Sequence, residues 1–171
     1  MRILGIDPGY ALIGMGAIEH NANRYKVIKY GKIETPSGHE LSERLEEIFN
    51  MMNLWLKEIQ PDAVAIEQLF FNTNTTTAIG VAQARGVILL SCRMAGIRVY
   101  EYTPLQVKQA VAGYGRAEKV QVQKMVKTIL NLEAVPKPDD VADALAVAIC
   151  HTNNAGYNNI MDKIKMAGGK I

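Results

Sequence analysis

Apolar and polar positions follow one another along the chain in a pattern that predicts an α/β fold. Three apolar stretches at 2–7, 12–19 and 26–35 are typical of strands, and the glycines and the turn HNANR among them are typical of a meander. The run DAVAIEQ at 62–68 predicts a short strand buried on both faces. RVYEYTP at 98–104 predicts one more strand.

Helical spacing of apolar residues begins after the meander. Ser37 and Glu40 have the spacing of a capping box, and Pro61 ends the helix that they would open. The apolar stripe of this helix consists of Leu41, Leu45, Ile48, Phe49, Met52, Trp55, Leu56 and Ile59. Further helices are predicted at 74–95, 104–112, 117–131 and 139–153.

The expected architecture is therefore a mixed central sheet with an antiparallel meander in front and helices on both faces. A chain of 171 residues suits one domain, which we place at 1–154. Residues 155–171 contain Gly, Asn and Lys and predict a flexible basic C-terminal tail.

Composition excludes several classes of protein. With 49% hydrophobic and 21% charged residues the chain is neither disordered nor membrane-embedded in type, and no stretch is long enough to span a bilayer. Asp7 interrupts the first apolar run too early for a signal peptide. Cys92 and Cys150 lie in apolar surroundings without metal-type spacing, which favours a reducing compartment and hence the cytoplasm.

The net charge of +2 conceals an asymmetry between two segments. Residues 40–62 carry six acids against two bases, whereas residues 103–137 carry six bases against two acids. Each segment alone is explained by a solvated helix face. Together they indicate one acidic and one basic side, which would suit a polyanionic partner.

Two predicted strands end on a carboxylate. Asp7 follows the apolar run Ile3–Ile6, and Glu67 follows Ala63–Ile66. An aspartate before Pro8 and Gly9 is also explained as the first residue of a turn. Strand ends in open α/β sheets are nevertheless where binding sites are built, and burying a lone charge is costly.

A second pair of acids opens a late helix. In KPDDVADALAVAI, Asp143 lies three residues after Asp140 and four after Asp139, and either spacing could place two acids on one helix face. Acids in a first turn are also favoured by the helix dipole, by about 0.3–1 kcal/mol. Asp139 or Asp140 could also be the N-cap.

The joint pattern predicts a metal-dependent nuclease. Four carboxylates without Cys or His spacing suit Mg²⁺ or Mn²⁺. Two such ions about 3.5–4 Å apart can activate a water and stabilise the leaving oxygen of a phosphodiester. Lys108 and Lys119 would neutralise the phosphate under attack.

Five stretches of the chain resemble the RuvC family of bacterial Holliday junction resolvases, which belong to the ribonuclease H-like superfamily. They are LGIDPG, AIEQLFF, QARGVIL, YTPLQVKQAVAGYGRAEKVQVQKMV and DDVADALAVAICH, and they cover nearly the whole chain except the tail. The resemblance implies a ribonuclease H-like fold and a magnesium-dependent homodimer that resolves four-way DNA junctions by paired symmetric nicks in recombination and repair. It also implies coupling to the branch-migration motor RuvA–RuvB.

The resemblance also assigns residue roles. The four catalytic and metal-binding acids of the family match Asp7, Glu67, Asp140 and Asp143, and its active-site lysines match Lys108 and Lys119. Phe70 matches an aromatic beside the cut strand. The chain departs from the pattern in Leu69, in the second phenylalanine Phe71 and in the extra acid Asp139.

Additional DNA contacts are expected from Phe70 and, later in the chain, from the basic loop GYGR at 113–116 and the helix predicted at 117–131. A phenylalanine there could stack on an unpaired base, which is typically worth about 1–3 kcal/mol. Phe71 is better explained as core. The expected DNA-binding residues are Phe70, Lys108, Tyr114, Arg116, Lys119 and Lys124.

Small residues in the helix at 74–95 permit two kinds of packing. Gly80, Ala82, Ala84 and Gly86 could allow close contact with a partner helix, which would fit the dimer of the family. Contacts within one chain explain them nearly as well.

Three other functions share parts of this pattern. An ATP-binding domain of the actin and sugar-kinase type also has an Asp-x-Gly turn after its first strand, but needs a second glycine-rich loop and a longer chain. A YqgF-type ribonuclease lacks the KQAVAGYGRAEK segment. A non-catalytic junction-binding protein would keep the lysines without needing four acids.

Overall fold

The structure is a computed structural model that describes residues 1–22, 24–69 and 75–168. Five strands and five helices lie in these ranges. The strands are β1 (Arg2–Asp7), β2 (Leu12–Asn21), β3 (Arg24–Glu34), β4 (Ala63–Glu67) and β5 (Val99–Tyr102). The helices are α1 (Leu41–Ile59), α2 (Thr75–Met94), α3 (Pro104–Ala112), α4 (Lys119–Ile129) and α5 (Asp139–Gly168).

The strands form one mixed sheet in the order β3-β2-β1-β4-β5. β1 pairs antiparallel with β2, and β2 with β3, so the predicted meander is present. β1 pairs in parallel with β4, and β4 with β5. The carboxyl ends of β1, β4 and β5 therefore lie at the same edge of the sheet.

Helices cover both faces of the sheet, as the sequence predicts. Because successive strand residues point to opposite faces, Ile3 and Leu4 belong to different cores. Leu4 packs in the core that contains Ile48, Met52 and the other buried residues of α1, together with Ala84 and Ile88 of α2. Ile3 packs in the core formed with α3, α4 and α5. Each face thus buries its own apolar layer.

The start of α1 differs from the prediction. The helix begins at Leu41, and its capping box is formed by Glu40 and Glu43, whose side chain accepts a hydrogen bond from the Glu40 amide at 2.9 Å. The predicted box between Ser37 and Glu40 is wrong. Ser37 lies in a turn after Pro36, closed by a hydrogen bond from the His39 amide to the Pro36 carbonyl.

The end of α5 also differs. The helix was predicted to end near residue 153, but it continues to Gly168. The predicted helix end is therefore wrong, while the flexibility of the basic segment 155–171 stays a prediction. A single glycine, Gly156, costs a helix only about 1 kcal/mol relative to alanine and does not stop it. The functional division at residue 154 stays a prediction.

No helix in the described ranges combines the length and apolar character that crossing a membrane requires. Both cysteines are buried free thiols, as expected from their apolar surroundings.

Candidate active site at the carboxyl ends of β1 and β4

Asp7 and Glu67 stand side by side in the sheet. The parallel register pairs Ile6 with Ile66, and each strand then ends on its acid. Both side chains are partly buried. The two strand-end acids that the apolar pattern singled out thus meet at one edge of the sheet.

Helix α5 brings the second pair of acids to the same place. Gly14 of β2 pairs with Asp7, and a Cβ atom at Gly14 would lie 1.9 Å from the backbone oxygen of Asp140. Only glycine at this position lets the first turn of α5 lie directly on the sheet. Asp140 is thereby placed next to the strand that ends on Asp7, and Asp143 lies one helical turn further.

The acids are close enough to alter one another's ionisation. Burial, and then the charges of Glu67, Asp143 and Asp140, raise the pKa of Asp7 well above its ordinary value. Burial and the charge of Asp143 raise the pKa of Glu67 to about 7, although Lys119 and Lys108 oppose the change. Burial raises the pKa of Asp143 as well, against the opposing effect of Lys119. Such mutual repulsion is typical of carboxylates gathered for a cation.

Two lysines complete the cluster. Lys108 of α3 and Lys119 of α4 line a pocket of about 190 Å³ together with Glu67 and Asp143. Nζ of Lys119 lies 2.8 Å from Oδ2 of Asp143. Partial burial lowers the pKa of Lys119, but the hydrogen bond and the charge of Asp143 outweigh that effect, so the net shift is upward. The structure therefore brings together all six residues that the sequence assigned to the active site.

Asp139 lies at the rim of this cluster. It is the first residue of α5, so neither Asp139 nor Asp140 precedes the helix as the N-cap that was considered. Oδ1 of Asp139 lies 2.6 Å from Nζ of Lys137, and its Oδ2 lies 3.9 Å from Nζ of Lys119. The hydrogen bond from Lys137 lowers the pKa of Asp139. Sequence spacing does not predict this ion pair, because it does not determine which acid Lys137 contacts.

The donor set suits a hard divalent cation. In the described ranges, no group of three or more His, Cys, Asp and Glu side chains is close enough to form a preformed ion site. The four acids are instead a repelling, partly neutralised group in which Lys119 pairs with Asp143. Carboxylate oxygens without nitrogen or sulfur donors are the ligands of Mg²⁺ and Mn²⁺, so the chemistry of the residues fits these ions.

Three of the other residues expected to contact DNA are exposed in the described part of the chain. Tyr114 is exposed, and its hydroxyl donates a hydrogen bond to Oε1 of Gln121 at 2.7 Å, which holds the ring in place. Arg116 and Lys124 are exposed at the start and in the middle of the α4 region. Phe70 and Phe71 lie outside the described residues. Gln121 had not been singled out from the sequence, although its capping-box spacing to Glu118 is visible there.

Comparison with known proteins identifies the family. Residues 3–151 match the profile of the family described as Crossover junction endodeoxyribonuclease RuvC. The chain belongs to the RuvC family. A family member from Alkaliphilus metalliredigens is 57% identical over 165 residues, covering 96% of this chain and 100% of the relative. A RuvC from Clostridioides difficile is 54% identical over 170 residues, covering 99% of both chains.

A solved RuvC structure has the same architecture. Thermus thermophilus RuvC in complex with Holliday junction substrate matches with a TM-score of 0.87 and 36% sequence identity, covering 92% of this chain and 96% of that chain. The expected ribonuclease H-like fold of this RuvC family member is thereby confirmed.

Proposed function

We propose that this RuvC family member is a structure-selective endonuclease that resolves four-way DNA junctions. It would introduce paired symmetric nicks by hydrolysing phosphodiester bonds during homologous recombination and DNA repair. The observation that carries the proposal is the gathering of Asp7, Glu67 and Asp143, whose pKa values burial and mutual repulsion raise, with Lys119 among them.

We assign Asp7, Glu67, Asp140 and Asp143 as the residues that would hold Mg²⁺, with Mn²⁺ as a substitute. Bound there, the ion would supply activation of water and stabilisation of the leaving oxygen. The chain itself supplies positioning. Sheet and helix fix the acids at one edge, and the partly buried surroundings strengthen their attraction for a cation.

Lys108 and Lys119 would bind the phosphate that is cut. Both lysines line the pocket that also contains Glu67 and Asp143. Their ammonium groups therefore lie beside the carboxylates but are not ligands of the ion. Positive charge at this place would stabilise the charge that develops on the phosphate oxygens. Release of Lys119 from Asp143 would free both groups for these roles.

Further residues would hold the junction arms. Arg116 and Lys124 are exposed cations suited to backbone phosphates, and Tyr114 offers an aromatic ring held by Gln121. Phe70 is proposed to stack on a base beside the cut. The relative from Thermus thermophilus was solved with Holliday junction substrate, which supports this choice of DNA.

A homodimer is proposed because a symmetric junction requires two active sites. The surface of α2 supports it. Ile79 and Leu90 are exposed, Leu90 by 53%, and a side chain at Gly86 would meet nothing within 4 Å. Ala84 by contrast is fully buried within the chain, which supports packing inside the chain for that residue, whereas the proposed partner contact concerns the exposed side of α2.

The dimer surface can be tested with matched substitutions. Leu90→Glu should convert the dimer to a monomer in light scattering, whereas Leu54→Glu, on a 58% exposed position of α1, should leave the dimer intact. Equal effects of the two variants would argue against α2. Association with RuvA–RuvB and a cytoplasmic location are proposed from the family and from the two buried free thiols.

The activity is tested by incubating the purified chain with a four-way junction and Mg²⁺, beside a linear duplex of the same sequence. We expect symmetric nicks in two opposed strands of the junction alone. ATP hydrolysis or RNA cleavage without junction nicking would indicate a kinase-type domain or a ribonuclease instead. Junction binding without nicking in either Mg²⁺ or Mn²⁺ would indicate a non-catalytic binding protein.

A further inference from the structure

The turn that follows Asp7 is clamped by a buried arginine and a tyrosine. We propose that Tyr10, held by Arg44, is a positioning residue that fixes the Asp7 carboxylate for the divalent ion. This inference rests on the proposed function, because it assigns a supporting residue to the same site.

Arg44 of α1 is buried in an unusual environment. Its side chain is only 6% exposed, and no carboxylate in the described part of the chain forms a salt bridge with it. Its guanidinium carbon lies 3.6 Å from the centre of the Tyr10 ring, which is the geometry of a cation–π contact. A buried cation is costly unless it is compensated, so Arg44 depends on Tyr10 for part of its stabilisation.

The same arginine holds the backbone of the turn. Nη2 of Arg44 donates to the Tyr10 carbonyl at 3.3 Å, and Nε donates to Oγ1 of Thr35 at 2.9 Å. Oγ1 of Thr35 also donates to the Tyr10 carbonyl at 3.0 Å, and the Thr35 amide donates to the carbonyl of Ala11 at 3.0 Å. Three donors therefore fix two successive carbonyls, only three and four residues after Asp7.

The Tyr10 ring also lies against α2. A Cβ atom at Gly80 would be 3.0–3.3 Å from three carbon atoms of the ring, which is tighter than ordinary van der Waals contact. Glycine at this position thus lets the ring approach the helix backbone. The turn after Asp7 is consequently held by α1 through Arg44 and by α2 through Gly80.

These contacts fix the turn at the end of β1. The strand itself is held by its pairing in the sheet. Asp7 pairs with Gly14 at the last position of the β1–β2 ladder, so its side chain has strand geometry on one side and the clamped turn on the other. Groups that orient a metal ligand typically contribute about 10–100-fold to metal affinity. Loss of the Tyr10 ring should therefore weaken ion binding more than it weakens DNA binding.

The test measures Mn²⁺ affinity by calorimetry in the full chain without DNA. We expect Tyr10→Leu to raise the Kd for Mn²⁺ by about 10–100-fold, whereas Tyr10→Phe, which keeps the ring, should match the unaltered protein. Junction affinity in Ca²⁺ should stay within about twofold for both variants, and single-turnover nicking should fall with Tyr10→Leu alone.

Controls separate positioning from general destabilisation. Trp55→Phe alters the same core of α1 away from the turn, and it should preserve Mn²⁺ affinity at an equal or lower melting temperature. If Tyr10→Leu does not fold, Gly80→Ala is the alternative variant. Its methyl group would displace the Tyr10 ring without removing it, so this variant should also raise the Kd for Mn²⁺. A Tyr10→Leu variant that is folded, or a Gly80→Ala variant, with unchanged Mn²⁺ affinity would overturn this inference alone. Absence of Mn²⁺ binding by the unaltered protein, or undiminished binding by Asp7→Asn, would overturn the ligand role of Asp7 as well.

Discussion

Lys119 and Asp143 are ion-paired across the contact between α4 and α5, with Nζ 2.8 Å from Oδ2. The cation that would bind the scissile phosphate thus lies on a carboxylate that would bind the metal ion. Each group keeps the other oriented and partly neutralised. This pairing leads to different expectations for Lys119 and for the lysines further along α4.

If Lys119 acts at the cut phosphate as proposed, Lys119→Ala should lower the rate of junction nicking far more than it weakens junction affinity. Lys124→Ala is the matched control on the same helix. If it only contacts DNA backbone, it should weaken binding modestly and reduce the salt dependence by about one phosphate contact's share, with a slope change near 0.9. Binding isotherms at several salt concentrations and single-turnover rates give both quantities. Equal losses of affinity with no separate loss of rate would remove Lys119 from the catalytic group.

Asp7→Asn should abolish nicking while the fold and junction binding persist. The substitution removes a carboxylate without removing volume, and it relieves the burial of charge and the repulsion from neighbouring acids that raise the pKa of Asp7. We therefore expect the melting temperature of the metal-free variant to be equal to or above that of the unaltered protein. Gel-shift binding in Ca²⁺ and a nicking assay in Mg²⁺ test the separation. A loss of binding as severe as the loss of nicking would contradict it.

The three aspartates at the start of α5 should behave differently. Asp140→Asn and Asp143→Asn should each abolish nicking with the helix intact. Asp139→Asn should stay active, because Asp139 is paired with Lys137 at the rim of the site. Junction nicking in Mg²⁺ with circular dichroism as the folding control decides the assignment. An inactive Asp139→Asn beside an active Asp140→Asn would move the ligand by one residue.

Metal preference follows from the all-oxygen donor set. Mg²⁺ and Mn²⁺ should both support nicking, whereas Ca²⁺, which is larger and less strict in geometry, should support junction binding alone. Chelation of all divalent ions should stop nicking and leave the folded chain intact, since none of the four acids belongs to either apolar core. Rapid nicking in Ca²⁺ would show that the acids do not impose the proposed geometry.

The raised carboxylate pKa values predict how the stability of the metal-free protein depends on pH. Glu67 titrates near 4.5 in an unfolded chain and at about 7 in the fold, so between these values the folded state binds more protons than the unfolded state. The contribution of Glu67 to the free energy of unfolding therefore falls as the pH rises from 4.5 to about 7 and levels off above. Melting temperatures of Glu67→Gln and the unaltered protein, measured across this range, should diverge in favour of the variant. A constant difference between them would refute the shift.

The acids could be identified from the sequence because their signal is local. Asp7 and Glu67 each end an apolar run, and the pairing of two parallel strands follows from the α/β pattern. The approach of α5 to Gly14 could not be predicted, because it depends on which helix packs over β2 and at what height. The clamp of Arg44 on Tyr10 likewise depends on a tertiary contact between α1 and the turn after β1. The Gly, Asn and Lys content of residues 155–171 predicts a tail, and composition alone does not reveal that α5 continues to Gly168.

The close approach of α5 to Gly14 affects how inactive variants should be interpreted. Glycine there has no group that could bind an ion, a base or a proton, yet the backbone oxygen of Asp140 occupies the space of its missing side chain. Even alanine would lift the first turn of α5 off the sheet and separate the acids of the helix from those of the strands. In a mutational survey scored by nicking, substitutions at position 14 would be as inactive as substitutions of the carboxylates. Their inactivity would reflect how closely α5 packs on the sheet.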